Sequence, residues 1–283
     1  MTQSALSPEP VSTSPARQGK PPRWQRWGLA LLLVAGFLIL WEVGKAVFEL
    51  PDYKLPHLAQ IGEAFVRPTP QGPVWQVLLR DTLYTALEAL LGFALGAVAG
   101  FLLAVLFVWW KPAERGLMPY VVASQAIPII ALAPMIVVGI GRLGAPPWLS
   151  KAIIAAYLTF FPVTINVTRG LKSVDRDALW LMHSYAATRR QIFNKLRLPA
   201  SVPYLFTALK ISATASVIGA IIGELPVGSK RGIGVQIVIG SQYNTFNPGF
   251  LWATIIMAAL LGMAFYGAVA LAERWIVRWK RPE

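Results

Sequence analysis

Side chains that could do acid–base or metal chemistry are few in this sequence, and their spacing assembles no catalytic group. The two histidines, His57 and His183, are far apart and are predicted on opposite sides of a membrane, so they cannot share a metal ion. Glu42, Glu88 and Glu224 are the few acids within apolar stretches, too few for a proton relay. There is no Gly-x-x-x-x-Gly-Lys-Ser/Thr loop and no cysteine. We therefore expect no enzyme activity, metal or cofactor in this chain.

Polar side chains inside apolar stretches are the second set that could contact a ligand. Residues 117–140 contain Pro119, Pro128 and Pro134, and each proline leaves a backbone carbonyl that lipid cannot satisfy. This segment either lines a water-filled pathway or is a kinked helix packed against its neighbours. Hydroxyl groups in such stretches also serve as hydrogen bonds between helices. The candidate pathway residues are Ser124, Gln125, Pro128, Tyr157, Asn166, Ser216 and Glu224. Glu224 is the strongest of them, because a carboxylate near the end of an apolar helix usually faces a partner or a cavity.

The elements that position these residues are predicted to be membrane-spanning helices. The chain is 55% hydrophobic and 14% charged, with a mean hydropathy of +0.54, which a soluble domain of 283 residues could not bury. Long apolar stretches cover about 27–48, 82–108, 117–140, 148–168, 204–227 and 249–277. Lys and Arg are concentrated in the segments on one side, which predicts that both termini are cytoplasmic. The predicted fold is an all-α membrane protein with about six transmembrane helices.

Composition divides the chain into four parts. Residues 1–26 form a basic, Ser- and Pro-rich tail, predicted to be flexible and cytoplasmic. Residues 27–81 hold the first membrane helix and an outer linker with a short amphipathic piece near 58–66. Residues 82–277 form the core, and residues 278–283 form a basic cytoplasmic end. The net charge of +13 is spread over loops rather than interleaved with aromatic residues, which argues against nucleic-acid binding.

Two patterns within the core predict local structure. Gly92, Gly96 and Gly100 recur every four residues, as do Ala215, Gly219 and Gly223, and such stripes let membrane helices approach closely. In the outer loop 228–248, the run VQIVIG predicts a short amphipathic or re-entrant helix.

The longest water-compatible segment between two spans is 174–203, VDRDALWLMHSYAATRRQIFNKLRLPASVP. Ala178, Leu181, Met182 and Tyr185 lie at helical spacing, which predicts a short helix starting near Asp175. Thr188 and Gln191 have the spacing of a capping box, which predicts a second helix. Pro199 and Pro203 are expected to stop that helix. Two such helices either fit the groove of another protein or lie on the membrane surface.

This segment carries a family resemblance. The run SYAATRRQIFNKLRLPASVPYLFTALKISATA, residues 184–215, resembles the cytoplasmic loop of binding-protein-dependent ABC importer permeases. The pattern of that family is Glu-Ala-Ala, then a Gly four residues after the second Ala, then Ile-x-Leu-Pro ten residues after that Gly. Leu196, Leu198 and Pro199 match the last motif, whereas Trp180, Leu181 and Met182 replace Glu-Ala-Ala and Ala186 replaces the Gly. SQAIPIIALAPMIVVGIG, WLSKAIIAAYLTFFPVTINVTRGLKSVD and the Gly-Glu of the fifth span also match, so the resemblance covers about 82–277.

The resemblance implies the transmembrane domain of a type I ABC importer in a bacterial inner membrane. It implies a second copy of this chain, a cytoplasmic ABC ATPase dimer that holds ATP and magnesium, and an extracytoplasmic solute-binding protein. The residues implied in ATPase coupling are Asp175, Ala178, Trp180, Met182, Tyr185, Ala186, Arg189, Phe193, Leu198 and Pro199.

The sequence leaves alternatives for the transported solute and for the energy source of transport. The whole chain looks most like the nitrate, sulfonate and taurine group, while LMHSYAATRRQIFNKLRLPASVPYLFTALK and the Gly-Glu-Leu-Pro at 223–226 are more similar to riboflavin or pyrimidine-precursor permeases. The scarcity of arginine in the outer half favours a neutral heterocycle. The alternative class is a secondary transporter or channel that needs no ATP.

Overall fold

The computed structural model describes residues 23–226 and 229–277, with side chains from residue 28 onward. Most of the predicted tail 1–26, and all of the predicted basic end 278–283, lie outside these residues. The described chain divides into two compact units at Leu50 and Pro51. The first unit contains α1 (Arg23–Val47), an apolar helix long enough to cross a membrane.

The second unit is almost entirely helical. Its elements are α2 (Leu58–Val66), β1 (Pro68–Thr69), β2 (Gly72–Pro73), α3 (Val74–Trp109), α4 (Lys111–Ser124), α5 (Ile129–Arg142), α6 (Pro147–Lys172), α7 (Arg176–Ser184), α8 (Arg189–Ile192), a π-helix (Phe193–Arg197), α9 (Leu198–Glu224), α10 (Ile233–Gln242) and α11 (Pro248–Ile276). The two short strands pair antiparallel as a small hairpin. Helix α2 coincides with the short amphipathic piece predicted near 58–66. Helix α10 contains the run VQIVIG, which was predicted to be helical.

The centre of this unit is α6, which packs against both α3 and α9. Gly96 of α3 lies against α6 so closely that an added Cβ would be 2.7 Å from Thr159 Cβ. A Cβ on Gly219 of α9 would be 2.7 Å from Ala155 Cα of the same helix α6. Both predicted small-residue stripes therefore contact α6, and the backbones approach closely because these positions lack side chains.

Helices α4 and α5 form a broken segment. The two helices meet at an angle of 99° across residues 125–128, and Pro128 lies directly before α5. Pro119 and Pro134 lie inside α4 and α5 without ending them. In the described residues, five helices are long and apolar enough to cross a membrane, or six if this bent pair is one span.

Two predicted helix boundaries are wrong. Helix α3 starts at Val74 rather than near 82, because the charged turn at Arg80 and Asp81 continues the helix beyond the apolar stretch. Pro199 and Pro203 do not stop the helix after Thr188, since residues 189–224 form one continuous helical span. Pro199 directly follows the π-helix Phe193–Arg197, and Pro203 lies one turn further on inside α9. Each proline removes one backbone hydrogen bond from this long helical span without ending it.

Candidate functional site

The segment 174–203 has the two predicted helix starts. Asp175 occupies the N-cap position of α7. Thr188 caps α8, with Gln191 N–H donating to Thr188 Oγ1 at 3.3 Å and Thr188 N–H donating to Gln191 Oε1 at 2.8 Å. This reciprocal pair of hydrogen bonds is the capping box that the sequence predicted.

The backbone of the turn between α7 and α8 explains why the family pattern has a glycine at the position of Ala186. Ala186 has a φ of +52°, in the left-handed region that disfavours a Cβ. Ala186 N–H donates to His183 O at 2.9 Å, and Ala187 N–H donates to Met182 O at 3.0 Å. These two bonds form a Schellman motif, whose left-handed residue is usually glycine. The alanine therefore keeps the shape of the turn at a local conformational cost.

Helix α7 and the residue that follows it carry three large apolar side chains that are exposed. Trp180, Leu181 and Tyr185 are 72%, 58% and 77% exposed. Phe193, in contrast, is half-buried and packs on Trp109, with ring centroids 5.6 Å apart. Of the other predicted coupling residues, Asp175, Ala186, Arg189 and Pro199 are exposed, and Ala178, Met182 and Leu198 are half-buried. A partner protein can thus reach α7 and the turn, while Phe193 holds the segment to α3.

The predicted pathway residues are only partly brought together. Ser124, Gln125 and Pro128 lie at the break between α4 and α5, and the Tyr157 hydroxyl donates to Ser124 O there. Asn166 Nδ2 donates to Pro162 O at 2.8 Å, and Ser216 Oγ donates to Ala213 O at 2.9 Å. Asn166 and Ser216 thus make these hydrogen bonds within their own helices.

Glu224 lies in a buried polar cluster that joins four helices. Its Oε1 accepts a hydrogen bond of 2.6 Å from Thr85 Oγ1 of α3, and its Oε2 accepts one of 2.6 Å from Gly234 N–H of α10. Ile233 N–H donates to Thr85 Oγ1 at 2.8 Å. Gly232 has a φ of +118°, and a Cβ at this position would collide with the Glu224 carboxylate. The cluster therefore fixes the start of α10 against α3 and α9.

Lys151 and Glu88 complete this cluster. Lys151 Nζ of α6 lies 3.3 Å from Glu88 Oε1 of α3, and the side chains are 3% and 0% exposed. Beside them, Gln236 Nε2 of α10 donates to Asp81 Oδ2 at 2.5 Å. The sequence predicted that Glu224 faces a partner or a cavity, but it did not predict its neighbours Glu88 and Lys151. The signal was present, since Lys151 is the cation inside the apolar run SKAIIAAY.

Comparison with known proteins identifies the class. The family model for the binding-protein-dependent transport system inner membrane component matches residues 92–278. The chain belongs to this family. It is a multi-pass inner-membrane permease subunit of an ABC importer, a transport component rather than an enzyme.

Three relatives cover nearly the whole chain. The formylaminopyrimidine transport permease protein ThiX of Halalkalibacterium halodurans is 34% identical over 87% of this chain and 93% of its own length. The riboflavin transport system permease protein RibX of Chloroflexus aurantiacus is 28% identical, with 91% of each chain covered. The putative aliphatic sulfonates transport permease protein SsuC of Bacillus subtilis is 28% identical over 99% of this chain and 98% of its own length.

Solved structures share the fold. A crystal structure of an amino acid ABC transporter with histidines matches with a TM-score of 0.59 and 15% identity, covering 71% of this chain and 94% of that one. The methionine ABC transporter MetNI, in an inward-facing conformation, matches with a TM-score of 0.58 and 21% identity, covering 71% and 96%. The predicted transmembrane fold of a type I ABC importer is confirmed.

Proposed function

We propose that the exposed face of α7 and the turn at Ala186 form the docking element for a cytoplasmic ABC ATPase. The observation that carries this proposal is the outward exposure of Trp180, Leu181 and Tyr185 on a helix between two membrane spans. Large exposed apolar side chains on an amphipathic helix suit insertion into a groove of a partner protein. The competing interpretation, a helix lying on the membrane surface, predicts that the same side chains contact lipid.

The remaining parts of the assembly are proposed from the family to which the chain belongs. Two copies of the chain form the pathway, both termini lie in the cytoplasm, and an extracytoplasmic binding protein delivers the solute. ATP and magnesium are held by the ATPase dimer, whose closure moves the paired α7–α8 segments together. Because residues 189–224 are one continuous span, this movement reaches the polar cluster at Glu224 and opens or closes access from outside.

The pathway is proposed to run past the break between α4 and α5. At the break, the N–H groups of residues 125–127 are bonded to the carbonyl oxygens of residues 122–124, so a solute or water would meet backbone carbonyl groups there. The Tyr157 hydroxyl lies at the same place. Glu224 acts in this proposal by holding α10 at the outer end of α9. Asn166 and Ser216 stay candidates, although their side chains are already bonded within their helices.

The solute is proposed to be a small planar heterocycle, with a pyrimidine-type vitamin precursor or riboflavin first and a nitrate or sulfonate second. Two named relatives with high coverage are permeases for formylaminopyrimidine and riboflavin. An oxyanion would need a cationic donor in the pathway, but the buried Lys151 is already paired with Glu88. Hydroxyl, amide and aromatic groups suit a neutral ring.

Uptake into vesicles tests the function and the solute together. The chain is reconstituted with its ATPase and binding protein, and uptake of labelled formylaminopyrimidine, riboflavin and taurine is measured with and without ATP. We expect ATP-dependent uptake of one of the two heterocycles. ATP-dependent uptake of taurine alone would overturn the solute proposal. Uptake by the chain without an ATPase would favour the alternative, an ATP-independent transporter or channel.

A further inference from the structure

A cavity of about 800 Å³ lies behind the coupling segment, between α7–α8 and the corner where α3 ends and α4 begins. Its wall combines aromatic and cationic side chains. Lys111, Arg115, Lys172, Arg189 and Arg197 line it, whereas Glu114 is the one carboxylate among the lining residues. Glu114 forms an ion pair with Lys172. The remaining four cations form no ion pair with any residue in 23–226 or 229–277, so the cavity has an uncompensated positive charge.

This cavity lies on the opposite side of α7 from the side chains proposed to contact the ATPase, although the predicted coupling residues Arg189 and Phe193 line it. Leu179 and His183, one helical turn apart on α7, line the cavity. Trp180, Leu181 and Tyr185 do not line it and are exposed. Side chains at a spacing of four residues share one side of a helix. Helix α7 can therefore contact a soluble partner with one side while the other side faces the cavity.

The position of the cavity favours a ligand from the membrane. Trp109 and Trp110, followed by Lys111, end the apolar α3 at the wall of the cavity, and this combination is typical of the headgroup region. A second groove of about 700 Å³ shares Glu114 and Arg115 with the cavity and continues along α4 over Met118, Val122 and Ala123. Together they form a cationic recess that continues into an open, largely apolar surface groove. A phosphodiester headgroup fits the first part and an acyl chain fits the second.

We propose that this cavity and groove bind an anionic phospholipid, with its phosphate among Lys111, Arg115, Arg189 and Arg197 and one acyl chain along α4. The bound lipid joins α7 and α8 to the α3–α4 corner. It thereby neutralises cations that would otherwise repel each other on the coupling segment. The composition of the inner leaflet would then affect how firmly the coupling segment is held.

Lipid retention by the full-length chain tests the proposal. The protein is purified in detergent with added dioleoylphosphatidylglycerol or dioleoylphosphatidylcholine, and bound lipid is counted by native mass spectrometry. We expect preferential retention of phosphatidylglycerol. The double variant Lys111→Gln/Arg115→Gln should weaken this retention roughly tenfold or more, since each cation near a lipid phosphate contributes substantially to binding. Equal retention of the two lipids, or no effect of the double variant, would overturn the proposal.

Three matched variants make the result specific. Arg142→Gln/Lys230→Gln removes two exposed cations outside the cavity and should leave retention unchanged, whereas an equal loss would indicate non-specific adsorption and overturn the site. Lys111→Arg/Arg115→Lys keeps the charge and should keep the lipid. Val122→Phe fills the groove without changing charge, and Val122 is 50% exposed, so this variant should fold and lose the lipid. If the glutamine variant fails to fold, Val122→Phe decides alone, and unchanged retention overturns the proposal.

A soluble phosphate ester is the other source of the same chemistry. Glycerol 3-phosphate has the phosphate but no acyl chain. We expect it not to displace phosphatidylglycerol at millimolar concentration, because it cannot use the apolar groove along α4. Displacement by glycerol 3-phosphate, with Val122→Phe having no effect, would assign the cavity to a soluble anion and overturn the lipid assignment.

Discussion

At the scale of single residues, Ala186 has an unfavourable backbone conformation. A left-handed φ costs a non-glycine residue about 1–2 kcal/mol, and glycine costs about 0.5–1 kcal/mol in chain entropy. We therefore predict that Ala186→Gly stabilises the turn after α7 by about 0.5–1 kcal/mol. Hydrogen exchange of the α7 amides should slow roughly two- to fivefold, as expected for a local opening of that free energy.

Ala187→Gly is the matched control for this prediction. Ala187 is the next residue, has no positive φ, and donates its own N–H to Met182 O. Glycine at this position should only add chain entropy and speed the exchange. Faster exchange in Ala186→Gly as well would show that the left-handed conformation does not determine the stability of this turn.

The ion pair between Lys151 and Glu88 gives a second prediction for a single residue. Removing one partner of a buried pair leaves an uncompensated charge, and both side chains of this pair are almost fully buried. We predict that Lys151→Met lowers the free energy of unfolding by about 3–5 kcal/mol. Lys172→Met removes the more exposed pair with Glu114 and should cost about 1 kcal/mol or less. Denaturant titration in detergent measures both, and equal effects would contradict the argument.

At the scale of elements, the packing of α3 on α6 depends on glycine. A Cβ on Gly96 would overlap the Ala156 carbonyl oxygen and Thr159, and overpacking of this kind costs about 1–3 kcal/mol. We predict that Gly96→Ala lowers the stability of the protein by this amount in the same titration. Gly267→Ala on α11, where nothing lies within 4 Å, should leave stability unchanged or raise it by up to about 1 kcal/mol, because alanine is the better helix former. A loss at Gly267 of the same size as at Gly96 would show that the close α3–α6 contact is not the cause.

The helices themselves could be predicted from the sequence because their signals are local. Thr188 caps the start of α8 with its side chain, Asp175 stands at the N-cap position of α7, and long apolar stretches indicate the membrane spans. These local signals gave a wrong helix boundary where tertiary packing outweighs the preference of a single residue. Pro203 lies within α9 because the whole helix is held by α6 and α11, and tertiary contacts outweigh the loss of one backbone bond.

The polar cluster could not be predicted because it depends on the relative positions of helices. Glu88, Lys151 and Glu224 lie on three different spans, and their meeting depends on how each helix is rotated and shifted against α6. Small-residue stripes indicate that helices approach closely, but they do not indicate which polar residues then face one another. Helix α10 adds backbone N–H donors to the cluster, a contribution that residue types alone do not reveal.

At the scale of the whole molecule, α9 connects the two functional regions. It follows the π-helix Phe193–Arg197 directly and ends at Glu224. At a rise of about 1.5 Å per residue, its 27 residues span roughly 40 Å. π-Helical turns often occur at functional sites. A rigid helix between the docking element and the polar cluster can carry a displacement from one end of the permease to the other.

Assembly with the ATPase gives the last prediction. Tyr185→Asp places a charge on a side chain that is 77% exposed at the end of α7. Loss of a buried aromatic contact in an interface typically costs more than about 2 kcal/mol, so co-purification of the ATPase should fall roughly tenfold or more, together with uptake. Phe246→Asp is the control, because Phe246 is 85% exposed in the loop between α10 and α11. This variant should keep the ATPase. Both variants should unfold like the parent protein, since neither side chain is buried. Normal co-purification with Tyr185→Asp would show that the apolar face of α7 is not the docking element and would favour its contact with lipid.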